Sequence, residues 1–167
     1  SCSAHKIYGP KGVGAAFLKS DAYGIPPITA FMHGGEQENG FRAGTLAVHN
    51  IVGFGKAAEI ALRDLAANET RILSLDQMFI AGVAAIPAIS LTNKSDNRLP
   101  GIISIVVDKK DFNNERFIKR ISDKVALSTG SACSAGEPSY VITALGLEDK
   151  VSKVLRISLN KYTTEEE

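Results

Sequence analysis

Two residues of this 167-residue chain stand in surroundings suited to covalent chemistry, Lys6 and Cys133. A lysine amine attacks an aldehyde cofactor only after losing its proton, which cationic or apolar neighbours can arrange. Lys6 lies in Ser3-Ala4-His5-Lys6-Ile7-Tyr8, beside a histidine and polar groups. On local residues alone it also reads as an ordinary exposed lysine next to a turn. Cys133 lies in Gly130-Ser131-Ala132-Cys133-Ser134-Ala135-Gly136. So small and polar a segment is unsuited to burying a thiol, and suits a thiolate carried toward a substrate and then outward to an acceptor. Cys2, beside a strand end, reads as a small packed residue. His33, just before a glycine-rich loop, could be a titrating group near a site and His49 falls within a helical pattern, but both read as structural, each satisfied by a local hydrogen bond. The cysteines and histidines form no metal-ligand spacing, so no metal site is expected.

These residues need elements to hold them. After Lys6 comes the glycine-punctuated turn Gly9-Pro10-Lys11-Gly12-Val13-Gly14, then an apolar strand candidate at residues 15–18. A second glycine-rich loop, residues 34–44, precedes Thr45, which is placed to cap the next helix. Between about Leu46 and Val83 the apolar residues Ile51, Val52, Ile60, Leu62, Leu65, Ile72, Leu75 and Phe79 recur at nearly helical spacing. The pattern predicts one long helix or two in series, interrupted only by Gly53 and Gly55. Strands are expected at 88–92, 102–107 and 125–129, with an amphipathic helix at 112–122 before the third. A helix with Pro138 in its first turn and Gly146 past its end, then a last strand at 155–159, complete an α/β alternation. The closing Thr163-Thr164-Glu165-Glu166-Glu167 has the composition of a helix start without a helix. Both ends read as cut within a domain.

Composition narrows the function classes. With 44% hydrophobic and 22% charged residues the chain is of globular type. Its net charge of +1 supplies no broad attraction to nucleic acid or membrane, so small substrates or protein partners fit better. No apolar run approaches the ~20 residues of a membrane-spanning helix. The N-terminal residues lack a signal-peptide layout. A cytoplasmic location with free thiols is the expectation.

The stretch Ser3-Ala4-His5-Lys6-Ile7-Tyr8-Gly9-Pro10-Lys11-Gly12-Val13-Gly14 resembles the cofactor-lysine motif of cysteine desulfurases of the NifS and IscS kind. Three further matches follow in the family's order and spacing. They are Gly34-Gly35-Glu36-Gln37-Glu38-Asn39-Gly40-Phe41-Arg42-Ala43-Gly44-Thr45, Ser128-Thr129-Gly130-Ser131-Ala132-Cys133 and Leu155-Arg156-Ile157-Ser158-Leu159. The resemblance implies a pyridoxal 5'-phosphate-dependent transferase of fold type I. Residues 1–65 would be the end of the large cofactor-binding domain and the start of a connecting helix. Residues 66–167 would be the small C-terminal α/β domain carrying the nucleophilic cysteine. It further implies Lys6 as the Schiff-base lysine, Ser3 and His5 as cofactor-phosphate contacts, and Thr45 as a phosphate contact reaching across a homodimer interface. Arg156 would hold the substrate carboxylate, for which a planar guanidinium fork is suited.

The activity so implied is removal of sulfur from L-cysteine, leaving alanine and a persulfide on Cys133 for a sulfur-acceptor protein, within iron–sulfur cluster assembly, tRNA thiolation or another route. The resemblance implies family members about twice the length of this chain. They carry a ring-stacking histidine, an aspartate facing the pyridine nitrogen and further phosphate contacts upstream of the lysine. The chain alone is therefore expected to be an inactive C-terminal fragment. Only Ser134-Ala135-Gly136 separate Cys133 from Glu137-Pro138-Ser139, a shorter link than many relatives have. The rival readings are a selenocysteine lyase or aminotransferase of the same fold, and a non-catalytic docking fragment for sulfur acceptors.

Overall fold

The computed structural model describes residues 1–24, 28–93, 95, 97–130 and 139–167. The chain divides into two compact units, Ser1–Leu65 and Ala66–Glu167.

The first unit opens with a minimal antiparallel hairpin in which β1 (Cys2–Ser3) pairs with β2 (Gly14–Ala15). A 3-10 turn, Ala4–Ile7, follows β1 directly. The strand expected at 15–18 is thus shorter and earlier: pairing ends at Ala15, and Phe17 is exposed. Further on, α1 (Val48–Arg63) and α2 (Leu65–Ala84) stand in series, parted at Asp64. Gly53 and Gly55 do not interrupt α1. Thr45 is not its cap: the helix starts three residues later, with Ala47 at the cap position and no side-chain cap. No residue of α1 is buried, and its Val52 and Leu62 are 66% and 75% exposed. Apolar periodicity found the helix, although much of its apolar stripe is exposed.

The second unit is built on an antiparallel sheet of order β3-β4-β5, with β3 Ile89–Leu91, β4 Ile102–Val107 and β5 Val154–Ser158. Both faces of the sheet carry a core. On one, Ile103, Ile105, Leu155 and Ile157 pack with Phe79 of α2 and with Phe117 and Ile118 of α3 (Asn114–Ile121). On the other, Val106 and Val154 pack with Ile142 of α4 (Tyr140–Ala144). Burying one such side chain contributes about 1.5–3 kcal/mol, so the doubly covered β5 is the unit's anchor. The expected strand at 125–129 is reduced to a single antiparallel bridge, Ser128 to Arg156.

Local chemistry sets the helix ends. Asn113 caps α3 by accepting from Arg116 N at 3.0 Å. Buried Asn114 donates from Nδ2 to the carbonyls of Val151 and Val154, at 2.9 and 2.8 Å, fastening α3 to the start of β5. Past α4, Gly146 takes φ +70°, with Gly146 N bonded to Thr143 O and Leu147 N to Ile142 O, the pattern that ends a helix on glycine. Pro138 lies outside the described residues.

One polar knot sits between α2 and the sheet. Asp76, fully buried, accepts from both terminal nitrogens of Arg98 and, at 2.8 Å, from Gly101 N. Gly101 holds φ +83°, and a Cβ there would stand 2.5 Å from Ile72 Cγ2, so only glycine fits. The bonds from Arg98 lower the Asp76 pKa against the opposing effect of burial, and the Gly101 amide lowers it further. Asp76→Asn leaves Arg98 without its anion and is expected to cost about 3 kcal/mol. Because the folded pKa lies below the ordinary carboxylate value, the ion pair's contribution is fully present above that value and is lost as pH falls through the folded pKa. Denaturant midpoints of the parent and the Asp76→Asn variant, compared from neutral to acid pH, should therefore converge as pH falls below about 4. A constant gap would assign the cost to packing instead.

Candidate functional site

Ser3, His5 and Lys6 share one rigid turn. Ala4 N donates to Val13 O at 3.1 Å and Gly9 N to Ala4 O at 2.9 Å, while Tyr8 adopts a left-handed φ of 65°. A Cβ on Gly14 would stand 2.5 Å from Cys2 O, so the hairpin closes only on glycine. Behind the turn, α1 presents a small-residue stripe. A Cβ on Gly53 would lie 3.1 Å from Pro10 Cγ, and Ala57 Cβ approaches the place of a Cβ on Gly9 to 3.1 Å. The glycine that looked like an interruption lets the loop lie against the helix. With Ala4 wholly buried beneath them, His5 and Lys6 are exposed and Ser3 is half-buried. Among the described residues none of these three side chains makes a hydrogen bond, and Ser3 leaves the 3-10 turn without a side-chain cap.

The glycine loop closes on itself. Gly44 N donates to Gln37 Oε1 at 3.0 Å, Arg42 Nη1 donates to Gly44 O at 3.2 Å, and Glu38 and Asn39 both take positive φ. Thr45 follows it, exposed, in the same unit. Cys2 is exposed in β1, not packed as expected, since a two-residue strand pairing with Gly14–Ala15 offers no core to enter. His33 and His49 are also exposed, and within the described residues neither has the hydrogen bond expected of a structural histidine.

In the second unit Arg156 is central to β5. Its amide and carbonyl face Ser128, with Arg156 N to Ser128 O at 2.7 Å and Ser128 N to Arg156 O at 3.2 Å. On the β4 side it stands opposite Ser104. The guanidinium is half-buried, and its Nε is buried with no hydrogen-bond partner. A buried donor left unpaired costs stability and marks a position that a ligand acceptor can fill. Cys133 lies outside the described residues; the chain is described up to Gly130 and again from Ser139. No group of three or more potential metal ligands occurs among the described residues.

The model of the family described as aminotransferase class-V matches residues 1–167, the entire chain. The chain belongs to that family. The cysteine desulfurase IscS of Aeromonas salmonicida is 41% identical over 170 residues, covering 100% of this chain and 41% of its own length. Among solved structures, a NifS-like protein has a TM-score of 0.81 at 30% identity, over 98% of this chain and 41% of that one. SspA in complex with cysteine has a TM-score of 0.64 at 33% identity, over 97% and 44%. The fold is thus that of the class-V, NifS-like proteins, as the four motifs implied, and the chain spans about two fifths of the length of the curated relatives it matches.

Sequence reasoning missed the small-residue stripe of α1, the Asp76–Arg98–Gly101 knot and the serines beside Arg156. The stripe had a signal: Asn50, Gly53 and Ala57 repeat at i, i+3, i+7. Ser104 had one too, as the lone polar residue in Ile102-Ile103-Ser104-Ile105-Val106-Val107.

Proposed function

We propose that this chain is part of a pyridoxal 5'-phosphate-dependent cysteine desulfurase, taking sulfur from L-cysteine and passing it through Cys133 to an acceptor protein. The observation that carries the reading is the match of the entire chain, at 41% identity, to a protein named cysteine desulfurase. The turn around Lys6 fits an aldehyde-bearing phosphate: an exposed primary amine beside an imidazole and a hydroxyl, none of them hydrogen-bonded among the described residues, on a backbone held by its own hydrogen bonds. Lys6 Nζ would hold the aldehyde carbon, Ser3 and His5 would contact the phosphate, and Thr45 would contact the phosphate of the cofactor held by the other subunit of a homodimer.

Pyridoxal phosphate, when bound, supplies the electron sink that makes loss of a Cα proton feasible. Arg156 would grip the carboxylate of L-cysteine, its buried Nε gaining the acceptor it lacks. Lys6 Nζ would take the proton from Cα and hold it for return. The Cys133 thiolate would attack the substrate sulfur; the carbon–sulfur bond would break with its electron pair left on Cβ, Cβ would take a proton, the Lys6 amine would return one to Cα, and alanine would leave with Cys133 holding a persulfide. Holding both partners at one site raises their effective concentration. Homodimerisation and delivery to iron–sulfur cluster assembly or tRNA thiolation belong to this proposal and rest on the family resemblance alone; a cytosolic setting belongs to it as an expectation from the sequence.

Incubation of the full-length, cofactor-loaded protein with L-cysteine and a thiol reductant should release alanine and sulfide in equal amounts. Formation of pyruvate, or transamination without sulfur release, would instead favour a lyase or an aminotransferase.

A further inference from the structure

Antiparallel register places three residues in one row across the second unit's sheet: Ser104 on β4, Arg156 on β5 and Ser128 at the edge bridge. Directly opposed residues share a face, so both hydroxyls flank the guanidinium on the same side. The hydrogen bonding tightens the geometry. Arg156 spends its amide and carbonyl on Ser128, and Ser104 O accepts from Thr92 N at 3.0 Å on the opposite edge. Ser104 and Arg156 are therefore a non-hydrogen-bonded pair, whose Cα atoms approach to about 4.5 Å with their side chains close, while Ser128 stands about 5.5 Å away.

Along the strands this face changes character at that row. On one side, Val106 and Val154 are 3% and 2% exposed beneath Ile142. On the other, Ile102 is 49% exposed and Ser158 is exposed. The row stands at the rim, with one wall apolar and the other open. Neither serine hydroxyl makes a hydrogen bond among the described residues, and Arg156 Nε is buried without one. A guanidinium flanked by two uncommitted hydroxyls at an open rim has the donors to surround both oxygens of a carboxylate.

We infer that Ser104 and Ser128 complete, with Arg156, a carboxylate subsite for the amino-acid substrate, donating their hydroxyls to the anion that the guanidinium grips. The inference rests on the reading of Arg156 as the carboxylate anchor. Both serines act on binding and not on the sulfur chemistry, so their loss moves affinity while turnover at saturation holds.

The test uses the full-length, cofactor-loaded protein with the double variant Ser104→Ala/Ser128→Ala. The KM for L-cysteine should rise by roughly 10-fold to 100-fold with kcat within about twofold, the range lost with hydrogen bonds to a charged group. Calorimetry should show the same loss for L-alanine and none for L-alaninamide, which lacks the carboxylate. A Ser104→Thr/Ser128→Thr variant should recover most of the affinity. Unchanged KM, or equal weakening toward L-alanine and L-alaninamide, overturns the inference. Arg156→Gln separates the two levels. If it abolishes L-alanine binding while the serine variant has no effect, only the present inference falls; if Arg156→Gln itself leaves L-alanine binding intact, the carboxylate anchor and the subsite fall together.

Discussion

Replacing Cys133 by serine in the full-length protein is expected to lower sulfide and persulfide production from L-cysteine by about 10³-fold or more, leaving cofactor attachment and cysteine binding nearly intact. A hydroxyl at neutral pH is almost wholly protonated and is a poor nucleophile toward sulfur, whereas a thiol with an ordinary pKa already supplies some thiolate. The loss should appear in kcat, since nothing that binds the substrate carboxylate or the cofactor is removed. Mass spectrometry after incubation with L-cysteine should find one added sulfur on the peptide bearing Cys133. Cys2 is the necessary comparison because it is an exposed thiol open to adventitious adducts. Cys2→Ser should change neither rate nor stability appreciably. Sulfur release undiminished in Cys133→Ser would move the weight to a lyase that expels sulfur without a protein thiol.

Lys6→Ala should abolish covalent attachment of pyridoxal phosphate and reduce turnover by on the order of 10³-fold or more. The rival amine is Lys11, also exposed, on the loop of the same hairpin. The two are distinguishable because their backbones are held differently. Lys6 belongs to the hydrogen-bonded 3-10 turn seated on buried Ala4, whereas Lys11 lies outside that turn, beyond Pro10. Borohydride reduction of the parent followed by peptide mapping should place the cofactor on Lys6, and Lys11→Ala should leave it there. Recovery of the label on Lys11 would undo the assignment.

Both expectations start from residues legible in the sequence, and the reason is local. A turn such as Ser3-Ala4-His5-Lys6-Ile7-Tyr8-Gly9 is shaped by its own hydrogen bonds and its glycines, so residue order carries most of its geometry. Helices α1, α2 and α3 were likewise readable, because apolar spacing reflects their 3.6-residue period. Strand extent was less so. Residues 15–18 and 125–129 have strand-like composition, but a strand exists only as far as a partner runs beside it, and partners are chosen over long separations.

Burial went the same way. The exposure of Cys2, and of Val52 and Leu62 on α1, depends on what lies opposite, which no local pattern encodes. Lys6, Cys133 and Arg156 became chemical candidates from the sequence alone, Cys133 through its small, polar segment and Lys6 and Arg156 through the motifs that resemble the family's. Only the tertiary structure brought Ser104 and Ser128, 52 and 28 residues before Arg156 in the chain, into one row beside it and left Arg156 Nε buried without a partner. Strand register is a long-range choice made by the whole sheet, and it decides which hydroxyls a guanidinium meets.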